Sequence, residues 1–453
     1  MGFWDWVYNY FVNDYLGLNK LHTVQGILNF VCVILTLIIG ICTVYRFIYI
    51  LIGFFGKRVG YPEAPKDKRY AFVIAAKNEE KVIKNTIDSI RKQNYPKELI
   101  DIYLIADNCD EKDKTAEIAR SLGCTVYERH DLSKARKGWG LELAFDNIDK
   151  AVGLAYYDGY IMIDADNVVD PEFTSKMNDA YQTGKFDVIT GYRCPKNFSD
   201  NLISASYGIN FYRITLSNHR PRMKVHSYTG GTGSGYLMSS KILIENGGWH
   251  WHRILEDVEF VITNISDGKR LGYTDEAICY DEQPTSLFIQ LRQRLRWNKG
   301  ALVVWWCDSW KLVRSFFKKP TWTKYDIFWD VFPYSLFIFV IGFIYNVVSL
   351  SLGIAGGADY NWGSFLAYTL NTILGIAIAA WVAGVLVVIK EWKYIHCSLP
   401  KALFYTLLWP LYDLISIPIS IVSLFMKVKW KQIPHNDQRD IETIIKEQEE
   451  KNK

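Results

Sequence analysis

Apolar residues fall along this chain in blocks. From Val24 to Tyr45 nearly every position is apolar, long enough to cross a hydrocarbon core of ~30 Å, which takes about 20 residues. Residues 21–56 are therefore read as a first span. The segment before it, 1–20, mixes aromatic residues with a few acids and reads as an amphipathic surface helix. The apolar pattern returns in three later blocks of spanning length, 331–355, 365–389 and 402–425. Pro410, Asp413 and Pro418 interrupt the last, which is expected to be broken or re-entrant. The tail, 426–453, is charged and reads as a solvated helix or as disordered.

Between the first and second spans the pattern changes. Tyr70–Ala76 is a continuous apolar run, as a strand buried on both faces would be. Glu80–Gln93 follows with Ile83, Ile87 and Ile90 on one helical face. Ile100–Ala106, Thr125–Glu128 and Tyr160–Asp164 read as further strands, with helices over Thr115–Leu122 and Gly140–Lys150. This alternation predicts a parallel sheet with right-handed crossovers over 68–285. Such sheets bind ligands beyond the carboxyl ends of their strands. The stretch 286–325 interleaves basic residues with Trp297, Trp305, Trp306 and Trp310, the pattern of amphipathic helices lying along a membrane face.

Charge orients the picture. Lys57, Arg58, Lys66, Lys68 and Arg69 follow the first span, which places the next domain in the cytosol of a multi-pass protein of the cell membrane. Strict alternation then puts the tail outside, where Lys427, Lys429 and Lys431 conflict with the same rule. A net charge of +4 over 453 residues is too small to indicate nucleic acid as a partner. The eight cysteines include no CxxC pair and read as free thiols in a reducing compartment.

Candidate chemistry sits at the predicted strand ends. Asp164-Ala165-Asp166 puts two carboxylates one residue apart, able to share a divalent cation, Mg²⁺ or Mn²⁺, and through it a phosphate. Lys77-Asn78-Glu79 and Asp107 end the earlier strands, and Lys137-Gly138 precedes a helix. Glu256-Asp257 offers a general base, although acids opening a helix also serve its dipole. Gln293, Arg296 and Trp297 share one helical face; a guanidinium suits a diphosphate and an indole suits a sugar or base. The run Gly230–Gly235 admits close backbone approach but lacks the lysine of a P-loop. His250 and His252 lack an evident third metal ligand.

In order and spacing these pieces resemble the family 2 glycosyltransferases, in particular the processive membrane synthases that make cellulose, hyaluronan, chitin oligosaccharides or poly-N-acetylglucosamine. The resemblance implies an α/β GT-A-type nucleotide-sugar transferase domain set between transmembrane helices. It assigns Ala75, Lys77, Glu79, Asp107 and Lys137 to the uridine pocket, and Asp164 and Asp166 to metal and diphosphate. Asp257 becomes the base. Gln293, Arg296 and Trp297 contact the diphosphate and the acceptor end, while Glu256 and the run holding Gly233, Ser234 and Gly235 face the acceptor sugar. Leu255 departs from the Thr that cellulose synthases carry before Glu-Asp. The implied partners are a UDP-sugar, a growing polysaccharide and the lipid bilayer, with accessory secretion proteins allowed. From overall similarity the expected product is a β-linked glucan made from UDP-glucose. The alternatives are a UDP-N-acetylglucosamine-using synthase and single transfer to a lipid carrier. A non-catalytic scaffold or transporter is the reading from another class.

Overall fold

The computed structural model describes residues 23–231, 233–355, 362–428 and 433–452, together with Asp5 and Asn9. Apart from Asp5 and Asn9, the surface helix expected over 1–20 falls outside the described residues.

Helices α1 (Val24–Thr43) and α2 (Tyr45–Phe55) form one apolar rod, Gly26–Phe55, of 30 residues. The Thr23 hydroxyl caps it, accepting from the Gly26 amide at 3.0 Å. The chain then enters an eight-stranded mixed sheet of order β3-β2-β1-β4-β7-β6-β8-β5. Strands β1 (Tyr70–Ala76), β2 (Ile100–Asp107), β3 (Thr125–Arg129) and β4 (Gly159–Asp164) are mutually parallel. Alternation in β1 serves both faces of the sheet. Ala71 and Val73 pack with Leu141, Phe145 and Trp249, while Phe72 and Ile74 pack with Ile83, Ile87 and Phe173. The connecting helices are α3 (Ile83–Arg91), α4 (Thr115–Ser121) and α5 (Lys137–Val152). Lys137-Gly138 thus opens α5 instead of preceding it. A β-carbon on Gly138 would lie 2.1 Å from the Trp251 carbonyl oxygen, so a glycine lets this helix start close against the neighbouring loop.

The remaining strands are β5 (Val168–Val169), β6 (Val188–Pro195), β7 (Tyr236–Ser239) and β8 (Leu271–Asp281). β7 runs antiparallel to both β4 and β6, so the sheet is mixed beyond the half that alternation predicts. Register pairs Ala75 with both Ile105 and Asp164, which brings the carboxyl ends of β1, β2 and β4 to one edge.

A third layer joins this sheet to apolar helices. It contains α6 (Leu202–Ile214), a π turn (Thr215–His219), α7 (Arg220–Lys224), α8 (Glu256–Ser266), α9 (Leu287–Lys318) and α10 (Trp322–Val331). Beyond it lie α11 (Tyr334–Ala355), α12 (Trp362–Glu391), α13 (Leu399–Leu408) and α14 (Pro410–Phe425). Among the described residues three helices are long and apolar enough to cross a membrane: Gly26–Phe55, Ile373–Tyr394 and Leu399–Phe425. The last is interrupted at Trp409, immediately before Pro410, whose ring and missing N–H disrupt a helix.

Buried ion pairs tie the layers together. Arg220 reaches Asp275 at 2.8 Å and also pairs with Glu391. Arg222 reaches Asp326 at 2.8 Å. Tyr45 and Tyr49 donate to the same Asp326 carboxylate at 2.8 and 3.0 Å. The charged tail forms a helix that is exposed along one side. α15 (Ile441–Asn452) buries Ile441 and Ile444 in the apolar cluster that also holds Tyr280 and Ile395, and its Gln448 bonds to the Tyr280 hydroxyl.

Candidate active site

A continuous cavity of about 1840 Å³ opens at the strand-end edge and runs to the third layer. Ala75 lines it at the end of β1 with Lys77 and Glu79 just beyond, Asp107 as the last residue of β2, and Asp164 as the last of β4 with Asp166 beyond. Lys137, Gly233, Glu256, Asp257, Gln293, Arg296 and Trp297 line it too. Local turns explain the first group. Asn78 takes φ 54°, a left-handed conformation that asparagine tolerates, and its side chain exchanges hydrogen bonds with Asp110 at 2.8 Å. Asp107 accepts from Arg129 at 2.7 Å and from Asn108 at 2.9 Å. Burial raises the Asp107 carboxyl, against the pull of Arg129.

Lys137 is the electrostatic centre. Its ammonium lies 2.6 Å from Asp164 Oδ1, 3.0 Å from the Gly233 carbonyl oxygen and 3.8 Å from Glu256 Oε1. Burial works against its charge, but Asp164 and Glu256 hold it above its ordinary value. Burial likewise opposes the charge of Asp164, and Lys137 holds that carboxyl below its usual range. Glu256 and Asp257 open α8 with no such close partner. Burial, opposed by Lys137, pushes Glu256 up to about 7 and also raises Asp257. A buried carboxylate with a raised pKa suits a general base at neutral pH.

Gly233 adopts φ 76°, and a β-carbon there would lie 2.9 Å from Asp257 Oδ2. The glycine run therefore presses against Asp257. Ser234 and Gly235 lie behind the cavity wall. The buried Ser234 hydroxyl accepts from the Asp164 amide at 2.9 Å and from Asn167 at 2.6 Å, bracing the strand end that carries the aspartates.

The α9 helix is docked by Gly300, whose missing side chain admits Leu255, the residue before Glu256. Docking divides the Gln-Arg-Leu-Arg-Trp segment by face. Gln293, Arg296 and Trp297 turn to the cavity, and Trp297 meets Tyr207 edge-on at 5.7 Å. Arg294 turns away to the Ser416 hydroxyl and stacks 3.8 Å over Tyr412, anchoring the helix to α14.

Sequence reading missed His435. Its Nδ1 lies 3.3 Å from Glu79 Oε2 and 3.8 Å from Asp166 Oδ2. Those acids, with Glu282, hold the ring at about 10 despite burial. Nothing local in the sequence marks it, because the apolar helices separate it from the acids it meets. His252 stacks on Trp139 at 3.7 Å. Among the described residues no three His, Cys, Asp or Glu side chains converge as a metal-ligand set; the paired carboxylates Asp164 and Asp166 line the cavity as oxygen donors.

Parallel strand ends carrying paired aspartates, beside two carboxylates that open a helix, fit a GT-A-like glycosyltransferase fold. The chain belongs to the family described as Glycosyltransferase like family 2, whose model matches residues 65–300. Its sequence is 26% identical over 322 residues to the probable glycosyltransferase YdaM of Bacillus subtilis, covering 65% of this chain and 70% of that one. It is 24% identical over 252 residues to the poly-beta-1,6-N-acetyl-D-glucosamine synthase of Staphylococcus epidermidis, covering 54% of this chain and 57% of that one. In fold it is similar to the mannosyltransferase PcManGT from Pyrobaculum calidifontis, solved with GDP-Man and Mn²⁺. That match has a TM-score of 0.50 and 13% identity, and covers 85% of this chain and 96% of that one.

Proposed function

We propose that this protein is a processive, inverting synthase that polymerises N-acetylglucosamine from UDP-N-acetylglucosamine and passes the chain to the membrane. The observation that carries the reading is the continuity of the cavity, from Asp107 past Asp257 to Trp297 and the third layer. The synthase relatives favour the N-acetylglucosamine alternative over the β-glucan expected from overall similarity. The transferase domain faces the cytosol, where UDP-sugars are made.

Asp257 takes the proton of the acceptor hydroxyl as that oxygen bonds to the anomeric carbon and the bond to UDP breaks. Attack from the opposite face converts an α-linked donor into a β-linked product. Asp164 and Asp166 would hold a divalent cation, which supplies positive charge to the leaving diphosphate when bound. Arg296 adds a fixed positive charge beside it, and Trp297 offers an indole face to the acceptor sugar.

The test is incubation of purified protein with individual UDP-sugars in Mg²⁺ or Mn²⁺, then digestion with linkage-specific hydrolases. A long product from UDP-N-acetylglucosamine is expected. A glucan from UDP-glucose, or a single sugar on a lipid, overturns the reading.

A further inference from the structure

The cavity wall holds a guanidinium outside the Gln-Arg-Leu-Arg-Trp segment. Arg193 lies near the carboxyl end of β6 and lines the cavity. Topology brings it to the aspartates. β7 runs antiparallel to both β4 and β6, so β6 points the same way as β4 and ends at the same sheet edge as Asp164. β8 runs parallel to β6 and ends there too, at Asp281.

Arg193 is held from two sides. Its Nε donates to a single oxygen of Asp281, Oδ2, at 2.5 Å, where a purely structural arginine–carboxylate pair commonly closes as a two-bond fork. Its face lies over the Phe211 ring, 4.3 Å from the centroid. Phe211 in turn meets Trp297 edge-on at 6.4 Å, so arginine, phenylalanine and tryptophan form one wall from the strand end to α9. The anchor is buried and the arginine is not: the Asp281 side chain is 2% exposed and that of Arg193 19%. Burial opposes the charge of Arg193, and Asp281, followed by Asp164, more than restores it. Against burial, Lys137 and then Arg193 hold the Asp164 carboxyl below its usual range. Lys196, three residues on, is committed elsewhere: it is buried and its ammonium reaches the Asp166 carbonyl oxygen.

A guanidinium fixed through Nε and one face directs its outer N–H groups edge-on, the geometry suited to phosphate oxygens. Phe211 and Trp297 continue the wall toward the acceptor end, so the phosphate that Arg193 meets is the one bonded to the sugar. We propose that Arg193 is a second phosphate-binding guanidinium, directed at the outer phosphate of the bound nucleotide from β6 while Arg296 approaches from α9. This rests on the nucleotide-sugar reading of the cavity.

The test measures binding of UDP and of UMP, which lacks the outer phosphate, to the full-length protein in detergent with Mn²⁺ present. Wild type, Arg193→Gln and Arg193→Lys are compared. Arg193→Gln is expected to weaken UDP about tenfold or more, the worth of one charged hydrogen bond, while UMP affinity holds. Arg193→Lys, which keeps the charge without the fork, is expected to recover part of the loss. Unchanged UDP affinity overturns the proposal, as does an equal loss for UDP and UMP, which marks support of the pocket as a whole. If Arg193→Gln does not fold because Asp281 is left unpaired, Arg193→Gln combined with Asp281→Asn removes both charges and is expected to show the same selective loss; its absence overturns the proposal. Wild-type protein that binds no UDP overturns the nucleotide-sugar reading itself, whereas wild-type binding without selective loss in the variants removes the role of Arg193 alone.

Discussion

The ammonium of Lys137 sits 2.6 Å from the Asp164 carboxylate, so one cation ties the first turn of α5 to the strand end bearing the paired aspartates. Lys137→Met leaves Asp164 and Glu256 facing each other without compensation. A charged hydrogen bond of this kind contributes about 1.5–3 kcal/mol. The expected result is a lower thermal unfolding midpoint in detergent and weaker UDP binding. An unaltered midpoint would show that the contact contributes nothing.

Glu256 gives a pH dependence. Its carboxyl stands at about 7 in the folded chain against 4.5 ordinarily, so the native state keeps a proton that the unfolded state releases. Stability of the ligand-free protein therefore falls as pH rises through that window. Glu256→Gln removes the effect. The variant should gain on wild type by roughly 3 kcal/mol between pH 4.5 and pH 8, read as diverging melting points. Parallel curves would refute it.

Arg294 and Arg296 are two residues apart and face opposite ways. Arg296→Ala should raise the donor KM or lower kcat with little change in melting temperature. Arg294→Ala should do the reverse, loosening α9 from Ser416 and Tyr412. Calorimetry beside initial-rate kinetics distinguishes them, and identical profiles would contradict the assigned faces.

Gly233→Ala introduces a β-carbon 2.9 Å from Asp257 Oδ2 at φ 76°. Strain of this type costs on the order of 1–3 kcal/mol, and the carboxylate must shift. A fall in kcat of at least tenfold is expected while UDP affinity persists. Wild-type kcat would exclude close packing of loop and base.

Chelation should abolish UDP release, with Mg²⁺ or Mn²⁺ restoring it. Asp166→Asn should raise the cation concentration needed. Full activity in excess EDTA would remove the metal from the mechanism.

Sequence and structure agree best where local pattern decides. The apolar run of β1 matches Tyr70–Ala76 residue for residue, because a strand buried on both faces leaves no polar interruption. β6 escapes such reading: Gly191 and Arg193 break its apolar run, and its place comes from pairing with β8 far along the chain. Asp107, Asp164 and Asp166 are visible because they stand at or just past strand ends, and Glu256 and Asp257 because they open a helix. His435 and the docking of Ile441 and Ile444 are tertiary facts, since the tail is polar by composition and only its partners reveal its place.

The Asp326 carboxylate accepts both phenols of the first apolar rod while holding Arg222 beneath the cavity. That junction makes the rod and the cavity wall one mechanical part. Any tilt of the rod would therefore be carried to the cavity wall through two tyrosines and an aspartate.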